Sequence, residues 1–263
     1  MSRLSLGRRL RLSLLTLGLT LACVLSWTMP AAAIQFGQPD GTNHPYVCMV
    51  QFSLSPLWRT TGVLLSPKVV LTAGHGTAGY ERAPVWFSSK ITDQSVPYWG
   101  TCYTDPNYYL GYDDVGIVVL DDPVPVSEVS RYAQLPTAGF ADTLPMMHPV
   151  DLVGYGANYQ EHGGGLTPFE SWVWLNERYY APSQLIQTKN GMSSQFLQCT
   201  ANPGAGKGAI VLGDSGGPIL DAGTDLVLGV NTYVMSYNCK GISYAQRLDL
   251  QDVLDWINGG YLR

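Results

Sequence analysis

Gly213-Asp214-Ser215-Gly216-Gly217-Pro218 is the string that decides how the rest of this chain is read. A serine between glycines sits on a sharp turn, because residues without a Cβ bend tightly and let another backbone come close. Such a turn exposes the hydroxyl and aims main-chain N–H groups at one spot. The string fits G-x-S-x-G, the strand-to-helix elbow of α/β-hydrolases. Asp-Ser-Gly-Gly-Pro is also ordinary turn chemistry. Chain order decides against the elbow. An α/β-hydrolase carries its histidine after the serine, and the four histidines here, His44, His75, His148 and His162, all precede Ser215. A base for Ser215 has to come from upstream, brought back by the fold.

Around this string the chain reads as β-structure. Residues 47–52, 62–65, 69–72, 115–120, 150–154, 172–175 and 226–230 are brief runs rich in β-branched or aromatic side chains. Ser66-Pro67, Asp122-Pro123, Gly163-Gly164-Gly165 and Pro203-Gly204 punctuate them. Many short strands without helical periodicity indicate an all-β sandwich or barrel rather than an α/β sheet. Only the C-terminus has helical spacing, with Leu250, Val253, Leu254 and Ile257 at i, i+3, i+4, i+7. Asp249 is placed to cap that helix and Asn258-Gly259-Gly260 to end it. A Pro-rich stretch over 121–149 reads as the crossing between two halves, 34–135 and 136–263. A long surface loop within one sandwich is the alternative.

Residues 1–33 stand apart. Arg3, Arg8, Arg9 and Arg11 open them, an uncharged apolar run follows over 12–27, and Ala31-Ala32-Ala33 closes them. That order is a secretory signal peptide; the run falls short of the ~20 residues of a membrane-spanning helix. The protein is therefore expected to be secreted and extracellular. With 13% charged residues and a net charge of −5, a basic nucleic-acid surface is excluded. Cys23 leaves with the signal, and Cys48, Cys102, Cys199 and Cys239 remain, an even number that favours up to two disulfides in any of three pairings. No cysteine pair has zinc-site spacing. Asp105 and Asp122 are loop carboxylates compatible with calcium or simply with solvent.

His75 ends Leu71-Thr72-Ala73-Gly74-His75, just after an apolar run. A histidine at a strand end among small residues keeps one ring face open toward a cleft. His44, His148 and His162 have the look of surface-loop histidines. Asp114 heads Asp114-Val115-Gly116-Ile117-Val118-Val119-Leu120. A carboxylate there is drawn inward, where an unpaired charge is costly, and a histidine partner resolves that cost. Asp113 is its close rival.

Thr72-Ala73-Gly74-His75, Asp114-Val115-Gly116-Ile117 and Gly213-Asp214-Ser215-Gly216-Gly217-Pro218 resemble the three signature segments of chymotrypsin/trypsin-like serine proteases, in that family's order. The resemblance, to a secreted, bacterial-type member, covers nearly all of 34–263. It implies two six-stranded antiparallel β-barrels with the active site between them, plus a C-terminal helix. It implies Ser215 as nucleophile, His75 as base, Asp114 as the acid that orients it, and the N–H groups of Gly213 and Ser215 as oxyanion hole. The expected enzyme is a monomeric endopeptidase acting on proteins or peptides, with no cofactor, no metal, no nucleic acid and no stable membrane association.

Further site residues follow from the same resemblance. Cleavage after Ala33 would free the amine of Ile34 to pair with Asp214. Ala209 falls at the base of the specificity pocket, and Thr232, Tyr233, Val234 and Gly241 along its walls. No Asp or Glu occurs between 201 and 212, so a pocket for Arg or Lys lacks its carboxylate. Val234 stands where many relatives have glycine, which narrows the pocket toward small or medium apolar side chains. A one-residue shift would instead bring in Lys207 and favour an acidic one. Gly76 and Val211 replace half-cystines common among relatives. A catalytically inactive secreted binding protein on the same fold is the competing reading.

Overall fold

The structure is a computed structural model that describes residues 34–54, 57–157, 159–162, 170–188, 193–235, 239 and 241–262. The signal-peptide expectation for 1–33 and the turn at Gly163-Gly164-Gly165 lie outside the described residues. A two-residue strand, β1 (Gln38–Pro39), comes first. β2 (Val47–Leu54), β3 (Leu57–Ser66), β4 (Val69–Thr72), β5 (Arg82–Trp86), β6 (Tyr98–Thr104) and β7 (Gly116–Leu120) then close an antiparallel barrel in the order β2-β3-β4-β7-β6-β5. A one-turn helix, α1 (Gly74–Thr77), follows β4.

The second half repeats the plan. β8 (Pro149–Gly154) is followed by the hairpin β9 (Tyr159–His162) and β10 (Glu170–Val173). β11 (Tyr179–Gln187), β12 (Phe196–Thr200), β13 (Pro218–Asp221), β14 (Val227–Val234) and β15 (Ile242–Arg247) complete the second sheet, and β11 pairing with β8 closes it into a six-stranded barrel. β1 joins this second sheet from outside by pairing with β11. The expected all-β fold of two six-stranded antiparallel barrels is therefore what the chain forms, with α2 (Gln251–Gly260) at its C-terminus. Each of the seven β-runs read from sequence overlaps a strand. Among the described residues, the Pro-rich stretch holds a 3-10 turn, Phe140–Thr143, and no strand before β8.

Closure removes the edges that would otherwise invite aggregation, and it fills each barrel with the inward half of every strand. Val47, Val63, Leu71, Val85, Ile117 and Leu120 are fully or almost fully buried in the first. Leu152, Leu185, Leu197, Ile219 and Leu228 are likewise buried in the second, together with Ile34 from the entry segment. On α2, Val253 and Ile257 face the larger of these clusters.

Two expectations need correction. Asp249 does not cap α2, whose N-cap is Leu250 without a side-chain bond. Arg247 takes the Asp249 carboxylate by two 2.8 Å hydrogen bonds, and the Ala141 N–H donates to it as well. A buried guanidinium fork outcompetes the helix end for that carboxylate. The helix does end within the expected stop, at Gly260, with Tyr261 as its C-cap. The second correction concerns the cysteines: among the described residues no disulfide joins any two of Cys48, Cys102, Cys199 and Cys239. Cys48 and Cys102 lie on β2 and β6, which are not neighbours in the barrel, so closure itself keeps them apart. Burial pushes the thiols of Cys102 and Cys199 up to about 12 and that of Cys239 to about 11.

One buried cation ties the entry segment to the first barrel. Arg178 donates to Asp40 Oδ2 (2.7 Å), Gly41 O (2.8 Å), Val47 O (2.9 Å), Phe87 O (3.1 Å) and the Tyr155 hydroxyl (3.1 Å). Removing one partner of such a pair strands the others in a dry interior. Arg178→Met is expected to cost about 3–5 kcal/mol of unfolding free energy by urea titration; a loss below 1 kcal/mol would contradict this role. Protein beginning at Ile34 should titrate four thiols in denaturant without reductant, and reductant should leave its melting temperature unchanged. A count of two or none would mean that disulfides form.

Candidate active site

β4 and β7 pair with Thr72 opposite Gly116. Beyond this pair the chain leaves the strand register, through α1 on one side and positive-φ Asp113 on the other, and His75 and Asp114 come together. Asp114 is fully buried. Its Oδ2 lies 2.8 Å from His75 Nδ1, and its Oδ1 accepts the His75 main-chain N–H at 2.7 Å. One carboxylate therefore holds both the ring and the backbone of the histidine. Its rival Asp113, at φ 49°, faces elsewhere. Burial raises the Asp113 pKa, the charge of Asp252 adds to this, and a hydrogen bond with Gln195 opposes it. The ring of Trp58 meets the His75 ring edge-on at 6.0 Å.

The serine turn arrives from the second barrel. Gly216, at φ 76°, lies so close to β4 that a Cβ would sit 2.2 Å from Thr72 Oγ1 and 2.5 Å from the Ala73 nitrogen. No other residue fits there. Main-chain bonds fasten the turn on both sides: Thr61 N–H donates to Ser215 O (2.9 Å) and Gly216 N–H to Asn231 O (2.7 Å). Ser215 itself is half-buried. The structure thus brings the Ser215 turn against the strand that leads into His75, though no hydrogen bond joins Ser215 to His75 among the described residues. Gly213, at φ 91°, would bring a Cβ within 2.5 Å of the Trp174 ring.

Asp214, beside the serine, is fully buried. Its Oδ1 accepts the Gly156 N–H and its Oδ2 the Val211 N–H, each at 2.8 Å. Burial pushes its pKa well above the usual 3.8, opposed by those two N–H groups and by the charge of Arg59. Arg59 is itself buried, stacks 4.0 Å from the Trp174 ring centroid and donates to Asn176 Oδ1. Burial lowers its pKa to about 10, with Asp214 opposing the shift. Ile34 lies in the second core, and its neighbour Gln35 pairs reciprocally with Ala209 (2.8 and 3.2 Å). No hydrogen bond joins Ile34 to Asp214 among the described residues.

A family model described as Trypsin matches residues 34–257. This chain belongs to the trypsin family. Its fold is similar to that of HL collagenase (TM-score 0.67, 17% identity, 89% of this chain and 99% of that one). Mouse neuropsin, a serine protease, gives TM-score 0.65 at 15% identity over 85% and 97%. A scabies mite inactivated protease paralogue gives 0.63 at 20% identity over 85% and 97%. At such identities the likeness shows the chymotrypsin-like fold alone. No curated protein sequence matches the chain. The expectation of a bacterial-type member is not borne out, since named sources of these neighbours are mouse and mite. Membership of the trypsin family supports a serine-protease hydrolase in general, with protein or peptide substrates.

The residues expected around a specificity pocket are placed as follows. Ala209 is buried against Gln35. Thr232, Tyr233 and Val234 follow one another along β14. Thr232 accepts the Gln246 N–H (3.2 Å), and Tyr233 stacks on Tyr244 at 4.9 Å. Gly241, at φ 97°, enters β15. At Gly76, where trypsin relatives carry a half-cystine, a Cβ would already meet Phe52 and Thr60 at 2.9 and 3.0 Å, so ordinary packing fills the place of that brace. Asp105 is engaged in its own turn, accepting the Asn107 N–H. No helix among the described residues is long and apolar enough to cross a membrane. A cavity of about 660 Å³ beside Trp99, Asp121 and Glu128 contains none of the site residues. Reading the sequence did not find Thr61, Arg59 or Trp174 at the site. Trp174 was expected only as part of a strand, and no motif marks the other two.

The raised pKa of Asp214 has a definite sign. An acid whose folded pKa lies above its unfolded value binds the proton more tightly when folded, so stability falls as pH rises from the unfolded pKa toward the folded one. In a chain extended beyond Ile34, with no free amine there, Asp214→Asn should flatten the fall in urea midpoint between pH 4 and pH 7. Parallel pH profiles for the two proteins would contradict this.

Proposed function

We propose that this protein is a secreted serine endopeptidase that hydrolyses peptide bonds through His75, Asp114 and Ser215. The observation that carries the reading is the double hold of buried Asp114 on His75, on the strand end against which the Ser215 turn is packed. With Nδ1–H committed to Asp114, the lone pair of His75 rests on Nε2. Ser215 Oγ attacks the scissile carbonyl as Nε2 takes its proton, and the carbonyl electrons move onto oxygen. The Gly213 and Ser215 N–H groups meet that oxyanion, one such donor being worth about 3–4 kcal/mol. Collapse breaks the C–N bond, His75 protonates the leaving amine, and water repeats the cycle on the acyl-enzyme.

Secretion is supported by the basic, apolar and small-residue order of 1–33. Cleavage before Ile34 would release an amine from a segment paired to Ala209, and so supply a cation to buried Asp214 beyond the charge of Arg59. A preference for small or medium apolar side chains is supported by the absence of acid over 201–212 and by Val234 on β14. The protein is taken as monomeric, without metal or other cofactor.

A second reading, an inactive binding protein, has one observation in its favour: Ser215 and His75 share no hydrogen bond among the described residues. A fluorescent serine-reactive phosphonate separates the two. Wild-type protein beginning at Ile34 should label and Ser215→Ala should not. Asp114→Asn should lower kcat on a peptide substrate by about 10⁴-fold. Folded wild-type protein that neither labels nor cleaves would favour the binding protein.

A further inference from the structure

On β3, Thr61 reaches the Ser215 turn directly, while its neighbour Thr60 meets Thr72, 3.0 Å between hydroxyls. Thr61 is fully buried. Its hydroxyl accepts the Tyr155 N–H at 3.0 Å and lies 3.0 Å from Gly213 O. A hydroxyl has one hydrogen. Because Tyr155 N–H is a donor, that hydrogen is committed to Gly213 O. Among the described residues no other donor reaches Gly213 O.

We propose that Thr61 is a positioning residue for the oxyanion hole, its hydroxyl being the strut that holds the Gly213 carbonyl and so the Gly213 N–H. This rests on Ser215 being the nucleophile. Gly213 sits between two peptide planes. The plane before it carries its own N–H together with Leu212 O, which Ala157 N–H holds at 2.8 Å. The plane after it carries Gly213 O, which Thr61 holds. A glycine at φ 91° has no Cβ to resist rotation, so its N–H points where the two flanking planes direct it. Both anchors trace to one segment, because Tyr155 and Ala157 straddle Gly156, whose N–H meets Asp214. Thr61 connects that segment to the first barrel. The Thr61 main-chain bond to Ser215 O does not involve the side chain, so a side-chain substitution tests the hydroxyl alone.

Thr61→Val keeps the shape and removes both hydroxyl bonds; Thr61→Ser keeps the bonds. On a peptide substrate, Thr61→Val should lower kcat by roughly ten- to hundredfold, the scale of a displaced catalytic group, with KM within about twofold. Affinity for a peptide boronate, which places an oxygen in the oxyanion hole, should fall by the same factor. Affinity for a non-covalent peptide of the same sequence should not move. Thr61→Ser should restore both kcat and boronate affinity to within about threefold. If Thr61→Val does not fold by circular dichroism, Thr61→Ala is read for the same split. Wild-type kcat and boronate affinity in the folded variant would overturn the proposal, as would equal losses for boronate and non-covalent peptide. A wild type that neither labels nor turns over would instead remove the protease reading, and this inference with it.

Discussion

Everything at this site depends on how closely two closed barrels can touch. At Gly216 a single added carbon would fall 2.2 Å from Thr72 Oγ1, so the serine turn and the strand that carries the histidine meet backbone to backbone. Closed barrels have few main-chain groups to spare, because each strand already satisfies its neighbours. The seam is made from the exceptions. Thr61 N–H reaches across to Ser215 O, and within the first barrel the Thr72 hydroxyl donates to Thr61 O at 2.8 Å. Arg178 fastens a third point, joining the entry segment to carbonyls of the first barrel. With two rigid bodies held this tightly, the side chains at their junction are positioned by the folding of each half.

The buried charges follow a common rule. Carboxylates taken out of water need partners, and Asp40, Asp114 and Asp249 each have a charged or ionisable one, Arg178, His75 and Arg247. Asp214, as deeply buried as these, is instead held by two N–H groups with the charge of Arg59 in its neighbourhood; the less deeply buried Asp105 and Asp151 likewise accept N–H groups. A carboxylate held chiefly by N–H groups beside Ser215 makes the turn sensitive to any cation delivered there. In the proposed reading that cation is the amine freed at Ile34, whose neighbour Gln35 pairs with Ala209 on the same stretch of chain.

The parts of the fold legible in the sequence were those whose chemistry repeats locally. Runs such as 69–72 and 115–120 are apolar because their strands are largely buried on both faces, and chain order separates the glycine-serine turn from an α/β-hydrolase elbow. β11 went unread because Pro182, Ser183 and Gln184 stand in the middle of its run, which dilutes a β-signal. Asp249 was misread for a different reason: helix capping is local, whereas the Arg247 fork that claims Asp249 depends on both being buried. The cysteine count points to disulfides, but pairing depends on which thiols the fold brings within bonding distance rather than on number. Thr61 and Arg59 were invisible because an isolated threonine or arginine carries no signature until a distant segment is folded against it.

A crystal structure of the protein beginning at Ile34, with a peptide boronate bound, tests the central claim most directly. Boron should be bonded to Ser215 Oγ, with one boronate oxygen about 2.7–3.1 Å from the Gly213 and Ser215 nitrogens and His75 still held by Asp114. Unmodified Ser215 at saturating boronate, or a Gly213 N–H turned away from the bound oxygen, would contradict it.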